Sequence, residues 1–241
     1  MKPARRFTPE ALTFLRALKR HNDREWFKTR KERYEVLLRA PMLALIERLA
    51  DEFKHFAPEL VASPKVSLYR IYRDTRFSED KTPLKTHIAA SFPHRALAKH
   101  QGGGLYLEVA YGWVWVGGGL YAPEPVQLQA LREHIAANVQ RLRVIVESSG
   151  FRRAVGTLEG ERLRRVPRGF PADHEAAEFL KYRQFIAGKE FPAAFATSPR
   201  FFRGILDVFR QIMPLVRFLN EPLLQNGRTA GKGPYPFPGA L

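Results

Sequence analysis

Three regimes of apolar spacing follow one another along the chain. In residues 8–56 the spacing is helical. Thr8-Pro9-Glu10 supplies a hydroxyl cap, a proline at the first helical position and an acid in the first turn. Leu12, Leu15 and Leu18 then recur with Phe14 beside them, which predicts a helix ending near Arg20. His21-Asn22 breaks the pattern, and Asp23 caps a second helix carrying Trp26, Phe27, Tyr34, Leu37 and Leu38 against a charged face. Pro41 restarts a third helix, whose Met42, Leu45, Ile46, Leu49, Phe53 and Phe56 form a broad apolar stripe.

The middle of the chain has period two. Val66 to Tyr72 alternates as a strand, with Val66, Leu68, Arg70 and Tyr72 on one face. If that face is the core side, Arg70 must be paired or must line a cavity. Asp74 to Pro83 is too charged for a strand and reads as a loop, and Thr86 to Phe92 returns as a second strand. Leu105–Val109 and Trp113–Val116 predict a hairpin around Tyr111-Gly112, ended by Gly117-Gly118-Gly119. That glycine run reads first as a bulge or a close backbone contact and second as a phosphate cradle.

Helical spacing then resumes from Pro125 to Ser148, with Arg132 at the edge of the apolar face. Residues 151–170 are short-patterned and basic. Pro171 to Glu175 turns into a helix holding Ala177, Leu180 and Lys181, and Tyr182–Phe191 is a short strand or loop. Ser198-Pro199 opens a last helix, which Pro214 kinks or interrupts. Helices, an antiparallel group of strands and helices again give an α+β fold. The expected architecture is an antiparallel sheet of about 4–6 strands packed with N-terminal and C-terminal helices. Residues 1–220 form one domain, followed by a Pro/Gly-rich flexible tail over 221–241.

Composition changes this picture little. The chain has 241 residues, 45% of them hydrophobic, with 18 Phe and 3 Trp to fill a core. The absence of Cys excludes disulfides, thiolate metal sites and a Cys nucleophile, and leans toward a reducing compartment. The basic start leads into no apolar run of signal length, and no segment approaches membrane-spanning length, so the expectation is a cytoplasmic protein. The net charge of +16 invites a nucleic-acid partner, but the excess is spread along the chain rather than gathered into a basic arm.

Candidate chemistry gathers in Tyr69 to Ile88. Arg70, Arg73, Arg76, Lys81 and Lys85 stand there among Asp74, Glu79 and Asp80, with Tyr69, Ile71, Tyr72 and Phe77 between the charges. A guanidinium is suited to bidentate grips on phosphate or carboxylate because its planar fork stays charged when partly buried. One reading makes these groups anion binders, with Asp74 or Asp80 as a general base. The other is a salt-bridged loop that pins two strands. The seven His never take a metal-ligand spacing, so no metal residues and no resident cofactor are predicted, although a divalent metal is compatible with the chemistry. Gly227 to Gly233 superficially resembles a phosphate-binding loop but lacks its spacing, its hydroxyl and a preceding strand.

RIYRDTRFSEDKTPLKTHI, from Arg70 to Ile88, strongly resembles the signature of a bacterial and fungal family, the domain of unknown function 2461. The opening Phe14-Leu15 with His21 to Phe27 is similar to the family's own. So are Gly117 to Pro123, Leu131-Arg132 with Ile135, Arg165 to Phe170, and His174 to Lys181. The likeness covers roughly residues 7–220, with Leu84 standing where an aromatic is expected. The resemblance implies no known chemistry. It links Trp26, the Arg73–Lys85 loop, Arg132, Arg168, His174 and Lys181 as motif positions. They are expected to converge on one cleft for an anionic ligand, above all a phosphorylated one, with phosphoryl or phosphodiester chemistry if the protein is an enzyme. A non-catalytic module for nucleic acid or an acidic partner is the alternative. Whether it is an enzyme, and its oligomeric state, are left open.

Overall fold

The computed structural model describes residues 6–76 and 78–229. Phe77 and most of the glycine motif near the C-terminus therefore lie outside the described residues. The first helix, α1 (Pro9–Arg20), buries Ala11, Phe14, Leu15 and Leu18. Asp23 caps α2 (Arg24–Lys28), its Oδ1 accepting from Trp26 N at 2.7 Å. The next two elements, α3 (Lys31–Tyr34) and α4 (Ala40–Phe56), are joined by one wider π turn over Glu35–Arg39. Pro41 stands in the first turn of α4, as expected, but no break precedes it. The wider turn absorbs its missing N–H, and the apolar stripe runs on through Met42, Leu45, Ile46, Leu49 and Phe53.

The strand expected over Val66–Tyr72 forms differently. Ser63 caps a helical turn, α5 (Pro64–Ser67), by accepting from Val66 N. Residues 68–73 then run extended: Leu68 bridges Ala90 of the first strand, with Tyr69 N donating to Ala89 O at 3.0 Å, and Tyr72 bridges Leu84, ahead of that strand. Ile71 and Ser67 are buried while Arg70 and Tyr72 are exposed, so the core takes the opposite face from the one carrying Arg70.

The sheet has the order β1 (His87–Phe92), β2 (Gly104–Ala110), β3 (Trp113–Leu120) and β4 (Phe185–Pro192), all neighbours antiparallel. The expected hairpin is present, but its second strand continues through all three glycines. Space explains this. A Cβ at Gly118 would lie 2.5 Å from Gly104 O, and one at Gly119, whose φ is +124°, only 2.0 Å from Phe185 O. Close strand approach accounts for the glycine run.

After the sheet's first three strands come α6 (Pro125–Ala137), α7 (Val139–Glu147), α8 (Ser149–Val155) and α9 (Ala177–Leu180). The helix expected over 125–148 is divided at Asn138, whose side chain bonds back to His134 O at 2.9 Å. The last helix, α10 (Phe201–Thr229), lies across the sheet against β3. It passes Pro214 uninterrupted. That ring is on the exposed side, while Ile212, Met213, Leu215 and Val216 around it are buried and hold both halves in place. It also runs through residues 221–229, where a tail was expected, because Leu223 is buried too.

One face of the sheet is core: Ile88, Ala90 and Phe92, then Leu105, Leu107 and Val109, then Val114 and Val116, then Phe185 and Ala187. Phe92 of β1 meets Phe53 of α4 and Phe209 of α10 edge to face, Phe53 and Phe209 are tilted to each other, and the three rings, with centroids 5.2–6.2 Å apart, lock the three elements together. Asn220 adds a polar pin. Buried on α10, it accepts from Gly103 N at 2.7 Å and donates to Gly103 O at 3.0 Å, fixing the entry to β2. Asn220→Ala leaves two buried backbone groups unpaired and is expected to cost roughly 2–4 kcal/mol. A urea melt matching the parent within about 0.5 kcal/mol would refute the pin.

Candidate functional site

The sheet's other face is not covered by α10, and strand alternation decides what stands on it. Two rungs cross it in register, Ser91–Tyr106–Gly117–Gly188 and Ala89–Glu108–Trp115–Glu190. Above them opens a cavity of about 640 Å³. Tyr106, Glu108 and Trp115 form its floor, Tyr69 and Lys85 one wall, and Lys99 and His100 belong to the loop before β2. Ser91 Oγ is buried at its edge with no hydrogen bond of good geometry.

Two ammonium groups face one phenol ring. Lys85 Nζ is 4.6 Å and Lys99 Nζ 4.7 Å from the Tyr69 centroid. Lys99 donates to Val66 O at 2.8 Å. Neither lysine forms an ion pair among the described residues. Burial holds both below the ordinary lysine range, and the nearby charge of Arg70 adds to the effect on Lys85. His100, at a φ of 73°, is likewise lowered by burial and by Lys99.

The single carboxylate of the floor is already engaged. Glu108 accepts from the Tyr106 hydroxyl at 2.6 Å and lies 3.0 Å from His87 Nδ1. Burial and then Glu108 raise the Tyr106 pKa, so this phenol stays protonated and keeps donating. His87 opens on the far side into a second cleft of about 480 Å³ with Asn22, Arg73, Asp80 and Thr82. Lys85 lines both clefts and forms the wall between them. Its own place is set by the backbone. Lys85 N donates to Ile71 O at 2.8 Å, and the side chain of Asn22 pairs with both the N–H and the C=O of Leu84. Leu84 itself is buried and borders the second cleft.

Of the residues chosen from sequence, Lys85, Arg73 and Asp80 come together here. The rest of the basic loop is turned on itself. Arg73 bonds to Asp80, Thr82 and Ser78, Arg76 holds Asp74 through two bonds, and Lys81 donates to Thr75 O. Arg70 is exposed. Asp74 is held down to about 2 by Arg76, and Asp80 to about 2 by the Thr82 N–H and Arg73. Carboxylates held so low are weak bases at neutral pH.

The other motif positions line neither cleft. Trp26 stacks on His21 and carries Arg30 over its ring. Arg132 donates to Leu180 O and so ties α6 to α9, while Lys181 pairs with Glu178. His174 accepts from Ala176 N, and Arg168 is exposed. Trp26, Arg132, Arg168, His174 and Lys181 thus do not join Lys85 at either of these clefts. Among the described residues no group of three His, Asp or Glu is placed to hold a metal ion, and no helix is long and apolar enough to cross a membrane. Sequence reasoning passed over Lys99, His100, Tyr106, Glu108 and Trp115. The signal lay in the hairpin, whose alternation puts Tyr106 and Glu108 opposite Leu105, Leu107 and Val109.

These features define an α+β protein with a helix-backed antiparallel sheet and a basic, aromatic cleft on its open face. The chain belongs to the conserved hypothetical protein family named domain of unknown function 2461, whose model matches residues 10–218. No curated protein and no solved structure matches it.

The floor depends on two glycines. A Cβ at Gly117 would fall 2.3 Å from the Trp115 ring, and one at Gly188 2.2 Å. At Gly188 the indole supplies all of the nearest atoms, so Gly188→Ala should displace the ring and cost about 1–3 kcal/mol. Tryptophan emission should shift in this variant but not when the change is made in a Trp115→Phe background. An unchanged spectrum and melt would show that the glycine does not seat the indole.

Proposed function

We propose that the sheet-face cleft binds a small anionic ligand, a phosphorylated one above all, through Lys85 and Lys99. The observation that carries this reading is the pair of half-buried ammonium groups without a carboxylate partner among the described residues. Taking a cation out of water is costly, and a site that does so twice, side by side, gains most when an anion restores the lost solvation. The cavity is also of the size that small ligands occupy. Phosphoryl or phosphodiester chemistry with Asp74 or Asp80 as base gains no support, since both are exposed, paired and held to about 2. Binding, rather than that reaction, is the function we assign, in a cytoplasmic setting.

The alternative is a nucleic-acid-binding module. It draws on the net charge of +16 and on Arg152, Arg153, Arg164, Arg165 and Arg168, which are exposed and form no ion pair among the described residues. Surface arginines of this kind would give DNA or RNA affinity that falls steeply with salt. A half-buried pair of lysines depends on salt less.

Sulfate, whose charge is constant across the range, is the probe. Lys85→Met and Lys99→Met should each weaken sulfate binding about tenfold or more, with Lys54→Met as an exposed control. Calorimetric affinities unaffected by either cleft substitution would refute the assignment. The pH dependence has a definite sign. Because both lysines lie below the ordinary 10.5, they lose their charge early, and sulfate affinity should fall as pH rises through values below 10.5. Affinity constant up to pH 10.5 would contradict the role of these two groups.

A further inference from the structure

The indole of Trp115 is laid down with unusual provision. Its ring covers Gly117 and Gly188, which face each other across β3 and β4 and are buried although they stand on the open face. A side chain at either position would meet the ring within 2.3 Å. Glycine inside a strand sacrifices packing and backbone entropy, and two of them in register need a reason. Core packing is not that reason, because Trp115 belongs to the face away from α10, is only half-buried and borders the cavity. The fate of Trp26 makes the contrast. That ring is stacked by His21 at 5.7 Å and carries Arg30 at 4.7 Å. Trp115 has only the tilted ring of Tyr106, 5.8 Å away, and no cation over it among the described residues.

The aromatic row then leads to the charged end of the cleft. Trp115 neighbours Tyr106, Tyr106 lies 6.1 Å from Tyr69, and Tyr69 carries Lys85 and Lys99. A flat π surface at one end and two ammonium groups at the other suit a ligand that is planar at one end and anionic at the other. We infer that the ligand of this cleft carries a planar aromatic or heteroaromatic ring joined to its phosphate or carboxylate, and that Trp115 is the platform for that ring. This inference rests on the anion site assigned above and adds the class of molecule it takes. The floor is suited to stacking and not to reading a ring's edge, since its one carboxylate is spent on Tyr106 and His87. Ring identity should therefore matter less than ring presence.

Three probes separate the two claims: adenosine 5′-monophosphate, ribose 5-phosphate and inorganic phosphate, titrated calorimetrically into the full chain. The nucleotide should bind at least about fivefold tighter than ribose 5-phosphate, the range that one stacked ring supplies. Trp115→Ala should abolish that difference while leaving ribose 5-phosphate affinity intact, which also reports that the variant is folded. Gly188→Ala, which only lifts the indole, should reduce the same difference. Equal binding of nucleotide and ribose 5-phosphate would overturn the platform and leave the anion site standing. A preference for the nucleotide that survives Trp115→Ala would also overturn it. Failure of all three probes to bind would overturn both readings.

Discussion

Everything on the open face depends on how completely the opposite face is sealed. A four-stranded sheet with one buried side needs a continuous apolar cover, and α10 provides it, with Ile205, Phe209, Ile212, Val216 and Leu219 all fully buried. Each such side chain contributes about 1.5–3 kcal/mol. The contact of Phe53, Phe92 and Phe209 ties that cover to the N-terminal helices, and Asn220 ties it to the loop entering β2. With the core satisfied on one side, residues of the other parity are released from packing. Tyr106, Glu108 and Trp115 can then be aromatic and polar, and two lysines can be drawn half out of water above them without unfolding the sheet.

Charge density and available charge are different things in this protein. The charged stretch Arg73 to Asp80 pairs within itself: Arg73 with Asp80, Arg76 with Asp74. Those contacts shape the turn, while Lys85 is held at the wall of two clefts by the backbone bond to Ile71 and by Asn22 on Leu84. The charge proposed for a ligand sits instead on Lys85 and Lys99, and the carboxylate that acts on Lys85, Glu108, already serves Tyr106 and His87.

The helices and the hairpin were legible because their signals are local: Asp23 as a cap, the apolar rhythm of α1 and α4, the turn at Tyr111-Gly112. Misreadings came where the deciding atoms belong to a distant segment. Alternation in Val66–Tyr72 is equally that of an extended edge segment, and only a partner's ladder makes a strand. The glycine run looked like a terminus because the sequence does not display Gly104 O and Phe185 O pressing on it. Pro214 is harmless since it falls on the solvent side of a helix held by its neighbours. The basic stretch Tyr69–Ile88 pointed to Lys85, and the family resemblance picked out the same segment. Lys99 comes from a loop and Trp115 from another strand, and they join Lys85 only through sheet register and the approach of residues 68–73 to β1.

The central claim is that Lys85 and Lys99 hold an anion on the open sheet face. A crystal grown with tungstate tests it most directly, because the anomalous signal of the metal marks the anion independently of any model. A strong tungstate peak is expected within hydrogen-bonding reach of both Nζ atoms, above Tyr69 and beside Tyr106. A cleft without such a peak, with tungstate instead on the exposed arginines around Arg164 to Arg168, would contradict it.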